Sequence, residues 1–298
     1  LLLLHGIIEV ASENCQVILA TQSSTFVNLF AAEEIVVVEH DATEACSVAK
    51  RLDVAELKSW LEEFSIAEIK EYLDNRSKDK LIEMRVDLTA KMHEFKKDNI
   101  LFEGAQGAML DIDSGTYPYV SSGASGSYGA SSGSGIGPKA IDKIYGVFKA
   151  YETRVGNGPM PSEFDAETEG ELCDYVRNTG NEFGVTTGRP RRCGYLDLVA
   201  LRYACHVNSI DNLVLTHLDI YDDMNEIEAC VAYDIDGEIV TDFPASIPAL
   251  NKAKPVLKKF TGWKEDITKC TSYKKLPKNA KEYVEFIEDF TGTKVGIV

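Results

Sequence analysis

The fold is decided by a helix-like run, Leu196-Asp-Leu-Val-Ala-Leu-Arg-Tyr-Ala-Cys-His-Val-Asn208, and by the apolar run Asn212-Leu-Val-Leu215 that follows it. The first run predicts a helix over 196–208. The second is short, wholly apolar after its first residue, and typical of a buried strand. A helix that leads directly into such a strand is the building unit of α/β domains.

The same alternation continues on both sides of this segment. The other predicted strands are Val17–Ala20, Ile35–Val38, Ile100–Phe102, Gly146–Ala150 and Val295–Val298, and the other predicted helices cover 54–97, 167–177 and about 277–290. Gly292 is a suitable stop for the last helix. Strands alternating with helices predict an α/β fold with a mainly parallel central sheet flanked by helices.

Composition and charge narrow the classes of function. Of the 298 residues, 44% are apolar and 27% are charged, which is typical of a soluble globular protein. The net charge of −17 repels nucleic acid and anionic lipid, so neither is expected as a partner. Small anionic substrates remain possible, because a local group of arginines reverses the field inside a cleft.

The cysteines and the chain ends indicate the compartment. Seven cysteines, an odd number without CxxC spacing, argue against a disulfide framework or a structural zinc site and favour a reducing cytoplasm. The apolar start Leu1–Leu4 is too short for a signal peptide or a membrane span. A start without Met and an abrupt end at Val298 lead us to expect a fragment or a processed chain.

A glycine-flanked glutamine opens the first segment that carries chemistry, Glu103-Gly-Ala-Gln-Gly107, which continues to Val120. Such a turn lets the backbone approach a ligand, and the Gln106 amide both donates and accepts hydrogen bonds. Asp111 and Asp113 could form a metal pair, but a loop carboxylate more often caps a turn. The following Gly/Ser-rich stretch, 121–137, has in isolation the composition of a flexible linker.

Two further segments suggest binding of anions and of a base. Gly184–Gly194 holds three arginines, two threonines and three glycines. Arginine forks pair with carboxylate or phosphate, and loop amides complete an anion site. Leu213–Asp219 is a strand that ends in a polar loop, where the Asp219 carboxylate could accept hydrogen bonds from guanine. By itself that short string favours an ordinary capping aspartate.

Taken in this order, the segments resemble blocks of adenylosuccinate synthetase, a family with a P-loop-NTPase-like fold. The resemblance covers roughly residues 52–298, residues 1–40 do not align, and 1–298 is expected to be a single, incomplete domain of that family. The blocks that carry it are Glu103–Val120, Ser134–Pro138, Val147–Glu163, Gly184–Asp197 and Pro255–Asp266. We predict that the Gly/Ser-rich stretch is a substrate-side loop within one domain instead of a linker, because both its ends, Tyr117–Val120 and Gly135–Pro138, belong to these blocks.

The resemblance implies a cytoplasmic homodimer that ligates IMP and L-aspartate at the expense of GTP, with Mg²⁺ as cofactor, in purine biosynthesis. By this likeness Gln106, Ser121 and Arg189 contact IMP. The aspartate loop comprises Val185, Thr186, Thr187, Gly188, Arg189, Pro190 and Arg191. The GTP residues are Arg191, His217, Leu218 and Asp219.

The chain departs from the family at its catalytic motif. The family's Gly-Asp-Glu-Gly-Lys-Gly loop, which supplies the catalytic Asp and Mg²⁺ contacts, has no counterpart here, so no catalytic residue and no metal ligand is assigned. His217 replaces a family lysine, Ser121-Ser-Gly-Ala124 replaces Thr-Ser-Ser-Asn, and the C-terminal guanine-binding turn would lie past Val298. The alternative is therefore a non-catalytic paralogue that binds purine nucleotide or a partner subunit.

Overall fold

The computed structural model describes residues 36–41, 46–51, 88–95, 99–184 and 188–298. The predicted strand Val17–Ala20 and most of the predicted helix 54–97 lie outside these ranges. The chain divides into two compact units, one of residues 1–105 and 128–140 and one of residues 106–127 and 141–298. One domain over 1–298 stays a prediction.

The first unit holds two described strands, two described α-helices and the short 3₁₀ helix Pro138–Ala140. The strands β1 (Val36–Asp41) and β2 (Cys46–Arg51) pair antiparallel, and the helices are α1 (Leu88–Glu94) and α2 (Tyr128–Ser134). Helix α2 packs against α1 and lies inside the Gly/Ser-rich stretch, where the composition had indicated a linker. The predicted strand Ile100–Phe102 is wrong: in the described part of the chain no strand pairs with it, and a strand needs such a partner.

The second unit carries the remaining helices and strands. The strands are β3 (Tyr145–Lys149), β4 (Glu152–Arg154), β5 (Arg192–Gly194), β6 (Leu196–Asp197), β7 (Asn212–Thr216), β8 (Glu226–Ile235), β9 (Glu238–Val240), β10 (Lys254–Thr261) and β11 (Lys294–Ile297). The helices are α3 (Gly170–Thr179), α4 (Leu198–Asn208), α5 (Ile247–Lys252) and α6 (Lys278–Thr291).

A parallel three-stranded sheet confirms the main prediction. Its order is β11-β7-β3, and both neighbours of β7 run parallel to it. Leu213 and Leu215 alternate with less buried residues, so one face of β7 packs into the core. All three strands end at one edge of the sheet, which is where ligands bind in α/β folds of this kind.

A second sheet was not predicted. Strand β8 pairs antiparallel with β10 and β9 and parallel with β6. Strands β8 and β9 form a hairpin whose turn contains Asp236 and Gly237, both with positive φ. A two-residue turn joins β8 to β9, whereas the chain returns to β10 through β9 and helix α5. The parallel pair β6 and β8 is connected by a longer crossover that contains helix α4.

Two helices have well-defined boundary residues, of which Gly292 was predicted from the sequence and Asp197 was not. Asp197 caps α4, its side chain accepting a hydrogen bond from the Ala200 amide at 2.9 Å. Gly292 ends α6 with φ of 69°, a left-handed conformation that glycine adopts without steric cost. Aromatic side chains then fill the core behind α6, where Tyr221 contacts both Trp263 and Tyr283 edge to face.

Two global features complete the description. Within the described ranges, no helix combines the length and the apolar character needed to cross a bilayer. The cysteines there with a described side chain are free thiols: Cys173, Cys193, Cys205, Cys230 and Cys270.

Candidate nucleotide and anion site

A buried carboxylate organises the loop that begins at Gln106. Asp111 is fully buried, and one of its oxygens accepts hydrogen bonds from the Asp113 and Ser114 amides, both at 2.9 Å. Its other oxygen accepts from the Ser125 and Gly126 amides at 2.7 and 2.9 Å. Asp111 is therefore a turn-forming residue, as the commoner use of a loop carboxylate suggested.

The two residues of this loop assigned to IMP differ in their surroundings. Gln106 is exposed and has φ of 65°, a left-handed conformation that is uncommon for a residue other than glycine. Ser121 is half-buried, its amide and hydroxyl both donating to the Leu110 carbonyl at 2.7 and 3.0 Å. The loop thus presents Gln106 outward and uses Ser121 to hold its own shape.

Arg154 fixes the outer part of the same loop. Its buried guanidinium donates to the Tyr119 carbonyl at 2.8 Å, to the Thr116 hydroxyl at 3.0 Å and to the Asn157 carbonyl at 3.1 Å. These bonds join two blocks that the resemblance had matched separately. Arg154 therefore acts on the shape of the loop, and its charge points into the protein.

The residues on the two sides of 185–187 in the arginine-rich segment pair with each other as in a hairpin. Phe183 and Pro190 pair as an isolated bridge, the Gly184 amide donates to the Arg189 carbonyl at 2.8 Å, and the Gly188 amide donates to the Gly184 carbonyl at 2.7 Å. Gly188, Arg189 and Pro190 are exposed. The assigned aspartate-loop residues Val185, Thr186 and Thr187 lie outside the described residues.

Glu182 gathers the charged groups at the base of this hairpin. Its side chain is 1% exposed and accepts hydrogen bonds from Lys149 Nζ at 2.6 Å, the Tyr151 hydroxyl at 2.5 Å and an Arg191 guanidinium nitrogen at 2.7 Å. Burial raises the pKa of Glu182, but the hydrogen bonds from Lys149, Tyr151 and Arg191 outweigh it, so the net pKa is lowered. The carboxylate is ionised at neutral pH, balancing one of two cations.

The segment assigned to guanine follows β7 at the same edge of the sheet. His217 has φ of 59°, is exposed, and packs its ring edge-on against Tyr151, with centroids 5.8 Å apart. Leu218 is buried in the core, so a nucleotide could meet only its backbone. Asp219 is exposed in the first turn of the 3₁₀ helix Leu218–Tyr221.

That 3₁₀ helix is anchored from behind by the block around Trp263. The Asp222 carboxylate accepts hydrogen bonds from the Trp263 indole at 2.9 Å and from the Ile267 amide at 3.1 Å. Through the Trp263 contact, the resembling block Pro255–Asp266 holds in place the turn on which Asp219 is exposed.

The structure brings together some of the predicted residues. Arg191 and His217, which lie far apart in the sequence, meet through Glu182 and Tyr151. Lys149, Tyr151 and Glu182 themselves were not singled out from the sequence. The one available signal was that Lys149 and Tyr151 lie in the resembling block Val147–Glu163. Glu182 lies outside the resembling blocks, and no local sequence pattern indicates a pair of cations around a distant carboxylate.

The part of the chain that the structure describes does not form a metal site. Among the described residues, no three His, Cys, Asp or Glu side chains are grouped to hold an ion. Asp111, the acidic residue nearest the Gln106 turn, already has both oxygens occupied by backbone amides. Asp111 is therefore not available as a ligand for Mg²⁺.

Comparison with known proteins points to one family. A family model described as adenylosuccinate synthetase matches residues 33–298. The adenylosuccinate synthetase of Clostridium perfringens (strain 13 / Type A) is 50% identical over 200 residues, which are 67% of this chain and 46% of that protein. That of Prochlorococcus marinus (strain MIT 9312) is 46% identical over 230 residues, 76% of this chain and 51% of that protein.

A solved structure extends the agreement to the fold. The fully ligated adenylosuccinate synthetase from Plasmodium falciparum superposes with a TM-score of 0.69 at 38% identity, covering 81% of this chain and 57% of that one. The predicted fold is thereby confirmed. The chain spans about half the length of the curated relatives it matches. Since the family match runs through both the loop of Asp111 and the cluster around Glu182, the chain belongs to the adenylosuccinate synthetase family.

Proposed function

We propose that this chain binds GTP, IMP and L-aspartate as part of a GTP-dependent ligase that forms adenylosuccinate in purine biosynthesis. The observation that carries the proposal is the meeting of Arg191 and His217 at the Glu182–Tyr151 pair. A cationic group and an aromatic ring at the carboxyl edge of parallel strands suit a nucleotide's phosphates and base. A cytoplasmic homodimer with Mg²⁺ as cofactor belongs to the same proposal.

The direct test measures binding and turnover separately. The 298-residue chain is titrated with GTP, ATP, IMP and aspartate, and adenylosuccinate formation is followed in a coupled assay with Mg²⁺. The Clostridium perfringens relative serves as positive control. We expect binding of GTP and IMP, and no measurable turnover by this chain alone, because the family's glycine-rich phosphate loop is not in its sequence. Absence of GTP binding, or of IMP binding, contradicts the proposal.

Asp219 is expected to set the preference for guanine. Its exposed carboxylate would accept hydrogen bonds from guanine's two donors, whereas adenine presents an acceptor there. Asp219→Asn should therefore reduce the preference for GTP over ATP by about 1–3 kcal/mol, measured by calorimetric titration with both nucleotides. Asp223→Asn, at an exposed neighbour, is the control and should change nothing. An unaltered GTP-to-ATP ratio in Asp219→Asn would show that this assignment is wrong.

Arg189 is expected to bind the anionic groups of IMP or aspartate. It is exposed on the hairpin that Gly184 and Gly188 close, and a guanidinium there can pair with phosphate or carboxylate. Arg189→Ala should weaken IMP binding about tenfold at low salt, with a smaller effect at high salt. Lys278→Ala removes a cation that is 87% exposed on α6 and should leave binding unchanged. Equal affinities for the two variants would contradict the assignment.

A further inference from the structure

Lys149 lies where the proposed nucleotide site needs a cation, although no role was assigned to it. It is the last residue of β3, so its side chain stands at the carboxyl edge of the parallel sheet. Its side chain is 26% exposed, and Nζ donates to Glu182 at 2.6 Å and to the Thr153 hydroxyl at 3.2 Å. Nζ also lies 5.6 Å from the centre of the Tyr151 ring.

Glu182 holds this ammonium beside the Arg191 guanidinium. One carboxylate oxygen accepts from Lys149, and the other accepts from Arg191. Two cations around one anion leave a local charge of +1 in a chain whose net charge is −17. A single cation would have neutralised Glu182, so the second one needs another explanation.

Both cations keep donors for a further anion. An ammonium has three N–H groups, and two of those on Lys149 are directed at described residues. Arg191 Nε is buried and meets no acceptor among the described side chains and backbone groups. Buried donors are almost always satisfied in folded proteins. Because the Arg191 side chain is 28% exposed, a small shift of its guanidinium would let Nε reach an incoming anionic oxygen.

We propose that Lys149 is an additional phosphate-binding residue of the nucleotide site, and that Glu182 is the positioning residue that holds Lys149 and Arg191 side by side. This inference rests on the proposed function, because the ligand is the phosphate chain of GTP. The Tyr151 hydroxyl on Glu182 and the Tyr151 ring against His217 link the phosphate end of the site to its base end.

Lys149→Met tests the first part, with Lys143→Met as its matched control. Methionine keeps the apolar stem and removes the charge, while Glu182 retains Arg191 and Tyr151 as partners, so the fold should persist, as thermal melting can verify. Lys143 is exposed just before the amino end of the same strand. We expect Lys149→Met to bind GTP and inorganic tripolyphosphate about tenfold more weakly, with guanosine binding unchanged. Lys149→Gln should weaken the binding of GTP and tripolyphosphate to a similar extent.

Glu182→Gln distinguishes a carboxylate that positions Lys149 and Arg191 from one that only neutralises their charge. If Glu182 only screened charge, its removal would strengthen tripolyphosphate binding, because the local charge would rise to +2. A positioning carboxylate predicts the reverse: weaker binding in Glu182→Gln, because the two cations repel each other and separate, and partial recovery in Glu182→Asp, which restores the charge.

The outcomes separate this inference from the proposed function. Tripolyphosphate binding that depends on Lys149, in a chain that does not bind GTP, would overturn the proposed function and leave the phosphate site standing. Equal affinities of Lys149→Met and Lys143→Met for both probes, or tighter binding by Glu182→Gln, would overturn the inference. A chain that binds neither probe overturns both.

Discussion

Replacing Asp111 by alanine is expected to lower the free energy of unfolding by about 3–5 kcal/mol and to abolish IMP binding. The fully buried Asp111 carboxylate accepts four backbone amide hydrogen bonds and one from the Ser114 hydroxyl at 3.2 Å. Alanine leaves these donors without their acceptor, and each buried, unsatisfied group costs about 1–3 kcal/mol. Partial relaxation of the loop toward water makes the total smaller than the sum.

The loss of IMP binding follows from the same bonds. Asp111 joins the start of the loop to Ser125 and Gly126, and thereby holds Ser121 between them. Gly115 reinforces this shape, since a Cβ there would lie 2.4 Å from the Asp111 carbonyl oxygen. Without the carboxylate, Gln106 and Ser121 would lose their fixed relation.

Urea unfolding and IMP titration of Asp111→Ala and Asp113→Ala would check this prediction. Asp113 is an exposed carboxylate of the same loop, so its removal should change the unfolding free energy by no more than about 0.5 kcal/mol. Asp111→Asn should still be severe, because its amide would point a donor at amide donors. A loss below about 1 kcal/mol in Asp111→Ala would contradict the account of Asp111 as the loop's organiser.

Replacing Glu152 by glutamine is expected to stabilise the protein at alkaline pH. Burial, together with the charge of Asp197, raises the pKa of Glu152 to about 8, and burial raises the pKa of Asp197 to about 6 against the bonds from Ala200 and Tyr233. Two carboxyl groups thus share an interior in which only limited negative charge is tolerated. Glutamine keeps the shape and cannot ionise.

The direction in which stability changes with pH follows from the number of protons that the folded and unfolded states bind. Between the unfolded pKa near 4.5 and the folded pKa near 8, the folded state holds a proton at Glu152 that the unfolded state has released. The contribution of Glu152 to stability therefore falls as pH rises through this window. One pKa unit corresponds to about 1.4 kcal/mol, and partial solvent access reduces the full value, so we expect Glu152→Gln to gain about 2 kcal/mol at pH 8 relative to pH 5.

Chemical denaturation of Glu152→Gln and of the parent chain at pH 5 and pH 8 measures this difference directly. Glu238→Gln, at an exposed carboxylate on β9, should show no such pH-dependent gain. Other carboxylates with a lowered pKa, such as Asp165 and Asp266, also make stability depend on pH. Because they are present in both chains, their contribution cancels when the two pH profiles are subtracted. Parallel pH profiles for Glu152→Gln and the parent would show that the Glu152 carboxyl is not held in its protonated form.

Much of the α/β framework was accessible from the sequence. The elements β7, α4 and α6 appear within two residues of their predicted bounds, because their apolar residues repeat with the period of the structure they form. Gly292 could be predicted as the residue that ends α6, because this role depends only on local backbone freedom. The family also followed from the sequence, because long motifs keep their residue order whatever the surrounding structure.

The segments that differ from the expectation depend on contacts with residues that are distant in the sequence. Ile100–Phe102 has strand composition yet forms no strand, and Tyr128–Ser134, inside the stretch predicted to be a substrate-side loop, forms a helix that packs on α1. In both places the outcome depends on whether a distant partner is present. Composition describes what a segment tolerates, and contacts with other elements decide what it adopts.

The sequence was sufficient for the elements β7, α4 and α6, for the parallel character of the β7 sheet and for the family membership, because these depend on periodicity and on motif order. Only the tertiary structure placed Lys149 and Arg191 on the two oxygens of Glu182, Tyr151 against His217, and Glu152 near Asp197. Charge pairing and burial depend on distances between residues that are remote in the chain, and strand order and helix packing set those distances.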